Sequence, residues 1–474
     1  MAPFFLGFSS CLNVGKKSMD ADVIIVGAGL SGLNAALILE SYGYKALIVE
    51  ATDRIGGRVH TAKEELVPGH PELGANGIGG GYARLIDAAQ KYGVEIGPMR
   101  PRTEPRKGEL LYALKGNLIK LEDWPNEAVN PFTGEANRKM SPSSNAWAVY
   151  AKLNPFPKND LTAWRNSDYW DWDRSVHKVL TEAGFSEEAI QLAVETNASY
   201  GTTAKDTSVL MYFQILNFIS QQSAANQGGG GAAIGGNQRI PEAMARAFAG
   251  DILQSSPVST VNSEKDHVEV LLENGKTLRA PYALLTLPAS ALRRISLSPK
   301  LPPKQAKGIT EIGYTPCAQY HFRLKRPYWE EDGLPPSMWT DELAGRFMAL
   351  KNDPNNPDAF TSCVAYTNGK VALELDKMEK EIAFTAIMKG LENIRPSLKG
   401  AIEPAFHWTW SNNRFAGGAY AYWKPGQISE FANELAKPHQ RIYFAGEHTA
   451  SLSRGMEGAM ESGERAAIEI MNLL

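Results

Sequence analysis

Between Asp22 and Val49 the chain passes from an unbroken apolar run to a periodic one and back. Asp22-Val23-Ile24-Ile25-Val26 is continuous and bounded by glycine, the pattern of a parallel strand covered on both faces. Leu30, Leu33, Leu37 and Ile38, with Ala35 and Ala36, then recur at helical spacing, and Ala46-Leu47-Ile48-Val49 restores the strand pattern after Gly43. These segments predict a βαβ unit. From about Pro98 to Ala233 the text becomes mixed and aromatic, rich in Pro, Asn and Trp, with no internal repeat. Val268, Val270 and Leu272 alternate into Glu273-Asn274-Gly275-Lys276 and Leu278, which predicts a hairpin, and Ala283 to Pro288 closes that piece. A second mixed stretch runs from Pro299 to Trp423; Arg441 to Gly446 predicts a strand, and Met456 to Met471 an amphipathic helix. Strand-rich and mixed text thus alternate, which predicts two lobes, each built from discontinuous segments.

Composition narrows the class. With 474 residues, 43% hydrophobic and 21% charged, the chain has ample core and is neither disordered nor fibrous. Lys plus Arg (49) against Asp plus Glu (52) leaves a formal charge of -3, so a nucleic-acid partner is not expected. Cys11, Cys317 and Cys363 are too few and too scattered for a disulfide framework or a zinc site and are expected as reduced thiols. No run approaches the roughly 18 apolar residues of a membrane span. Pro3 to Phe8 is a short apolar patch with no basic residue ahead of it, and Phe8-Ser9-Ser10-Cys11 only faintly resembles a lipoprotein cleavage site. Residues 1–19 are therefore expected as a tail, and the protein as soluble and cytoplasmic, export through that tail being the minor alternative.

Gly27-Ala28-Gly29-Leu30-Ser31-Gly32 is a GxGxxG that follows a predicted strand and opens a predicted helix, the context that gives the pattern meaning. Gly27 suits the tight turn, Gly29 a close approach to a pyrophosphate, and Gly32 close helix–strand packing. Glu50 ends the second strand, 18 positions after Gly32, where an acid hydrogen-bonds a ribose hydroxyl. The fold class is therefore α/β, α+β overall. A Rossmann-like dinucleotide-binding lobe (20–98, 236–298 and 424–474) is interleaved with a mixed α+β substrate-binding lobe (99–235 and 299–423). Gly228 to Gly231 lacks the Gly-Lys-Ser/Thr ending of a P-loop and is expected as a flexible loop.

Further blocks follow in register: Asp53-Arg54-Ile55-Gly56-Gly57-Arg58-Val59, Glu72-Leu73-Gly74-Ala75, Ser296 to Pro303, Arg326-Pro327-Tyr328-Trp329, Trp410 to Pro425, Phe444-Ala445-Gly446-Glu447 and Gly455 to Ala467. From Asp20 onward the chain resembles the flavin-containing monoamine oxidase family, which includes polyamine oxidases, L-amino-acid oxidases and flavin histone demethylases. The resemblance implies FAD. Arg58 would fork onto the pyrophosphate or lie by the flavin, Gly57 lets backbone near the ring system, and Val258 matches the strand whose backbone meets the adenine. Glu447 at a strand end and Met456 at the start of the last helix would stand near the flavin, where backbone N–H groups face its pyrimidine oxygen.

The resemblance also implies a substrate site. Tyr420, in Gly417-Gly418-Ala419-Tyr420, matches one wall of an aromatic cage that sandwiches the amine, and Trp410 matches a flavin neighbour. Trp408 and Tyr422 are expected to pack in the core. The second cage wall, a Tyr in the monoamine oxidases, is Gly455, and the Trp often found after Leu-Gly-Ala in the family is Gly77; both changes are expected to enlarge the cavity for a bulky or elongated amine. Ala419 replaces a flavin-linking cysteine, so FAD is expected to be non-covalent, and with Leu474 right after the last helix no membrane anchor like that of those relatives is expected. Gln319 falls where a lysine usually holds a water against flavin N5, which leaves O2 or another electron acceptor open. No arginine follows Leu73-Gly74 to clamp an α-carboxylate.

The expected reaction is hydride transfer from the amine-bearing carbon to flavin N5. It gives an imine, then an aldehyde or ketone plus ammonia or amine, with hydrogen peroxide when O2 is the acceptor. The substrate's ammonium, with a pKa near about 10.4, must lose its proton in the apolar cage, so no strong protein base is required, and His448 is expected as a histidine at a helix start. The alternatives are an L-amino-acid oxidase, a desaturase acting on C–C bonds and, in another class, a non-catalytic flavoprotein scaffold. No Gly-x-Ser-x-Gly elbow or metal-ligand pattern is present in the sequence.

Overall fold

The first apolar run forms strand β1 (Val23–Val26) in the computed structural model, which describes residues 19–98, 108–225, 230–352, 356 and 358–474. Helix α1 (Leu30–Ser41) and strand β2 (Ala46–Val49) complete the βαβ unit. Every residue of both strands is buried because each faces a different core. Val23, Ile25 and Ile48 pack with α1 and the last helix, Gly455–Met471, whereas Ile24, Val26, Leu47 and Val49 enter the core on the opposite side. Unbroken apolar text is what such a strand requires. In α1 the buried face is Leu30, Leu33, Ala35, Ala36 and Leu39, while Leu37 and Ile38 are half-buried. The helix is apolar around most of its girth, which blurs its phase in the sequence.

β1 is central to a five-stranded parallel sheet in the order Ile442–Phe444, Tyr282–Leu285, β1, β2, Ile252–Leu253. Segments more than 400 positions apart therefore meet beside the Gly27–Gly32 turn. The predicted hairpin is observed as Val268–Leu272 paired with Thr277–Ala280 in a four-stranded sheet, with Gly275 at φ 88° in the turn. A seven-stranded sheet carries the second group of site residues. Its order is Ile402–Thr409, Cys317–Leu324, Ser362–Asn368, Arg346–Leu350, Ser337–Thr340, Leu110–Leu114, Asn117–Lys120, and only the Ser337–Thr340/Leu110–Leu114 pair is parallel.

The expected flexible loop at Gly228 to Gly231 needs correction at its end. Gly231 starts the short strand Gly231–Ala233, which pairs with Ile96–Pro98, and a Cβ on Gly230 would lie 2.3 Å from the carbonyl oxygen of Ile78. Here the glycines serve close backbone contact rather than mobility. Residues 228 and 229, the tail up to 18 and with it Cys11 lie outside the described residues. Among the described residues no helix is long and apolar enough to cross a membrane, and no group of His, Cys, Asp and Glu is arranged to hold a metal.

Candidate active site

One cavity of about 400 Å³ runs from the ends of β1 and β2 to the seven-stranded sheet, a size within the usual range of about 300–1,000 Å³ for ligand pockets. At its first end the three motif glycines have three different surroundings. Gly27 adopts φ 111°, and a Cβ there would meet Thr286 Oγ1 at 2.8 Å. A Cβ on Gly32, which does not line the cavity, would lie 2.0 Å from the Gly27 carbonyl oxygen, so this glycine lets α1 close on the turn. A Cβ on Gly29 would meet nothing within 4 Å: it faces open cavity. Glu50 lines the cavity while its carboxylate accepts from Ala28 N (2.9 Å), Thr52 N (2.9 Å) and Thr52 Oγ1 (2.8 Å). Those donors fix it at the strand end. Val258, first residue of the strand Val258–Ser263, lines the same end.

The loop after β2 is riveted by Arg54, which donates to the carbonyls of Ile55 (3.1 Å), Val59 (2.9 Å) and Gly57. Gly57 (φ 58°) and Arg58 thereby reach the cavity wall. Arg58 Nη1 donates to the carbonyl of Ala419 (3.1 Å) and pairs with Glu447 Oε2 (3.2 Å), joining this loop to two distant segments. Glu447 is buried, and Ala421 N donates to the same oxygen at 3.4 Å. The last helix brings Gly455 and Met456 to the wall, with its N-terminus toward the cavity. Two contacts set that helix. A Cβ on Gly463 would lie 2.2 Å from Ser31 O, and Glu461 accepts from the backbone of Ser451 (2.8 Å), Leu452 (3.1 Å) and Ser453 (2.7 Å) just ahead of it.

At the other end, Trp410 Nε1 and Gln319 Nε2 both donate to the carbonyl of Leu73, at 2.7 and 2.8 Å. A Gln side-chain oxygen only accepts, so His321 donates to Gln319 Oε1 from Nε2 at 3.1 Å. Tyr420 lines the cavity with its hydroxyl tied to Ser199 O at 2.5 Å and its ring 5.1 Å from Tyr200. Trp408 is half-buried and packs edge-on against His60 (4.4 Å), short of the core position expected of it, whereas Tyr422 is buried over Gly313. Gly455, at φ 57°, and Gly77 line the cavity, but the extra room expected from them is partly taken: the Tyr82 hydroxyl stands 3.7 Å from where a Cβ on Gly455 would sit.

Among the lining residues that the sequence reading did not place at the site are Tyr82, Tyr366 and Cys317. Cys317 sits two positions before Gln319 on one strand, so period-two spacing could have found it. Tyr366 lies directly opposite Gln319 on the neighbouring strand, a register no local pattern reveals.

Two histidines border this region, and both are held neutral at neutral pH. Burial, with Arg58, Arg293 and Arg465 nearby, brings His448 down to about 3, and burial with Arg54 does the same for His60. Each is neutral when folded and takes up a proton below 6.5 when unfolded, so stability falls as pH drops from about 6.5 toward 3. His448→Gln is expected to flatten that fall, read as a smaller difference between urea midpoints at about pH 7 and about pH 5.

The model of the flavin containing amine oxidoreductases matches residues 30–471. The chain belongs to this family. The amine oxidoreductase is 26% identical over 462 residues to the flavin-containing amine oxidase of Oncorhynchus mykiss, covering 95% of this chain and 85% of the relative. It is 25% identical over 467 residues to the human flavin-containing amine oxidase B (96% and 87%), and 24% identical over 475 residues to an L-amino-acid oxidase of Echis ocellatus (96% and 90%). Among solved structures, putrescine oxidase bound to putrescine aligns with TM-score 0.75 at 22% identity, covering 95% of this chain and 99% of that one. Cyclohexylamine oxidase from Brevibacterium oxydans IH-35A aligns with TM-score 0.74, also at 22% identity (96% and 99%), and both likenesses show the fold.

The cofactor of the oxidoreductase is FAD. The cavity suits it: open space at Gly29, the start of α1 behind it, and the Glu50 carboxylate at the end of β2. Ala419 lines the wall with no group able to bond the flavin, so acid precipitation is expected to release all the yellow colour into the supernatant. Colour retained in the pellet would show a covalent link.

Proposed function

We propose that the protein oxidises a bulky or elongated amine lacking an α-carboxylate to an imine, which water hydrolyses to an aldehyde or ketone plus ammonia or amine. FAD would supply the chemistry, accepting a hydride from the amine-bearing carbon at N5. Gly27, Gly29, Glu50, Gly57, Arg58, Val258, Glu447 and Met456 would hold it, with Gly32 closing α1 beneath. The observation that carries the reading is the character of the Tyr420 end of the cavity. Tyr420, Trp410, Tyr366 and Tyr82 line it with Gln319 and Gly455, and Arg58, which borders it, is engaged by Glu447 and Ala419.

Aromatic faces attract an ammonium on entry, and an apolar slot favours its neutral form, the one able to give up a hydride. Trp410 and Gln319, both anchored on the Leu73 carbonyl, would hold the wall rigid around the reacting carbon. The low pKa values of His448 and His60 fit a reaction in which the substrate's ammonium gives its proton to solvent before the hydride moves, rather than to a protein base. The substrate would enter between the two interleaved lobes read from the sequence.

Anaerobic mixing of the yellow holoenzyme with separate pools of amines, polyamines and L-amino acids tests the proposal. Bleaching of the flavin by amines or polyamines alone is expected. Bleaching by amino acids alone would replace it with L-amino-acid oxidation, the activity for which the Echis ocellatus relative is named.

A further inference from the structure

Tyr82 occupies the space that Gly455 leaves open, and the chain around it holds it there. The residue caps helix α2 (Ala83–Lys91), whose first turn is tied to the last helix: Arg84 N and Leu85 N each donate to Glu457 at 3.2 Å. A Cβ on Gly79 would lie 2.8 Å from Tyr82 Cε1, so the backbone closes against the ring as only glycine permits. Gln222 stands against Gly81, and Phe218 supports the ring at 6.0 Å with a tilt of 37°. The ring is thus backed by the Gly79 backbone and Phe218 on the side away from the cavity it lines.

Its hydroxyl differs from that of Tyr420. The Tyr420 hydroxyl is committed to Ser199 O, whereas the Tyr82 hydroxyl has no hydrogen-bond partner among the described residues and faces the cavity beside Gly455. Burial, with Tyr200 and Glu457 nearby, pushes this phenol up to about 12, so it keeps its proton and both donates and accepts at neutral pH. A polar group left unmatched in an enclosed site is a specificity element, because a ligand that pairs with it gains what one lacking the partner forfeits.

We propose that Tyr82 is the second aromatic wall of the amine slot and that its hydroxyl binds a hydrogen-bonding group carried by the substrate away from the reacting nitrogen. The choice of amines rests on the oxidation reading above; the placement of the wall does not. A ring in front of Gly455, supplied by α2 rather than by the last helix, narrows the slot from a different direction. It directs selection toward amines with a hydroxyl, amide or second amine on the side chain.

The test uses the holoenzyme and two probes that bind without reacting, because neither has a hydrogen on the amine-bearing carbon: 2-phenylpropan-2-amine and its para-hydroxyl derivative. Binding is read from the perturbation of the flavin spectrum. Tyr82→Leu, which keeps bulk but loses the ring, is expected to weaken both probes roughly tenfold. Tyr82→Phe is expected to leave the first within about twofold and to weaken the hydroxylated probe about five- to tenfold. Equal binding of both probes to wild type and Tyr82→Leu overturns the wall, and a hydroxylated probe indifferent to Tyr82→Phe overturns the role of the hydroxyl. Failure of both probes to perturb the wild-type flavin overturns the proposal as well. Tyr82→Phe retains the ring against Phe218 and carries the test if Tyr82→Leu does not fold. If the amine pools bleach wild type while the probes bind all three proteins alike, oxidation stands and Tyr82 falls. If the probes discriminate while no amine bleaches wild type, the reverse holds.

Discussion

Gly29→Val is expected to yield a folded protein that purifies colourless, with FAD affinity lowered at least about 100-fold, or about 3 kcal/mol. Two observations separate cofactor binding from folding at this position. Gly29 has φ -81° and ψ 178°, extended backbone open to any residue, and a Cβ there meets no protein atom within 4 Å. The added side chain therefore leaves the fold alone and projects into the space lined by Glu50 and Arg58. Gly32→Ala makes the contrast. Its Cβ would lie 2.0 Å from the Gly27 carbonyl oxygen and 3.0 Å from Thr286 Oγ1, so α1 must move off the sheet and both stability and flavin are lost. Flavin-to-protein ratios and thermal unfolding of the apoproteins distinguish the two. A yellow Gly29→Val protein with full flavin content would sink the assignment of this turn to the pyrophosphate.

The contrast also marks what was legible in the chain. β1, β2 and the GxGxxG were readable because one local pattern serves both the fold and the ligand: two apolar runs buried on both faces, joined by a turn in which Gly27 takes a positive φ and Gly32 closes on the Gly27 carbonyl. Arg58 and Glu447 were legible only through family blocks, since their pairing joins positions 389 apart. Tyr82 and Tyr366 were not legible at all. Tyr366 owes its place to strand register against Gln319, and Tyr82 to a helix cap held by the last helix through Glu457. Gly455 illustrates the same limit from the other side. Its identity announced a missing side chain, but only the fold shows a ring from elsewhere standing in that space.

Gln319→Lys is expected to raise the rate at which air reoxidises the reduced enzyme by at least about tenfold, equivalent to roughly 1.4 kcal/mol, while anaerobic reduction by amine changes little. Gln319 is buried on the strand Cys317–Leu324, opposite Tyr366 and Trp408 on the flanking strands, with its amide held by Leu73 O and His321. It is thus a fixed but uncharged donor on the cavity wall. Transfer of electrons to O2 builds negative charge on oxygen, and a positive charge already in place stabilises that charge without reorganisation, which a neutral amide does far less well. A lysine at 319 keeps an N–H for the Leu73 carbonyl, and a neutral His321 can turn its other tautomer, presenting a lone pair from Nε2 in place of the proton it now donates. Burial will lower the pKa of the new ammonium, so the gain is expected to shrink as pH rises through that value. The check is stopped-flow reoxidation with air and with a quinone, for wild type and variant, across pH. An air rate that is unchanged in the variant, or a wild-type enzyme that air already reoxidises as fast as the quinone does, would remove Gln319 as the residue that limits the reaction with oxygen.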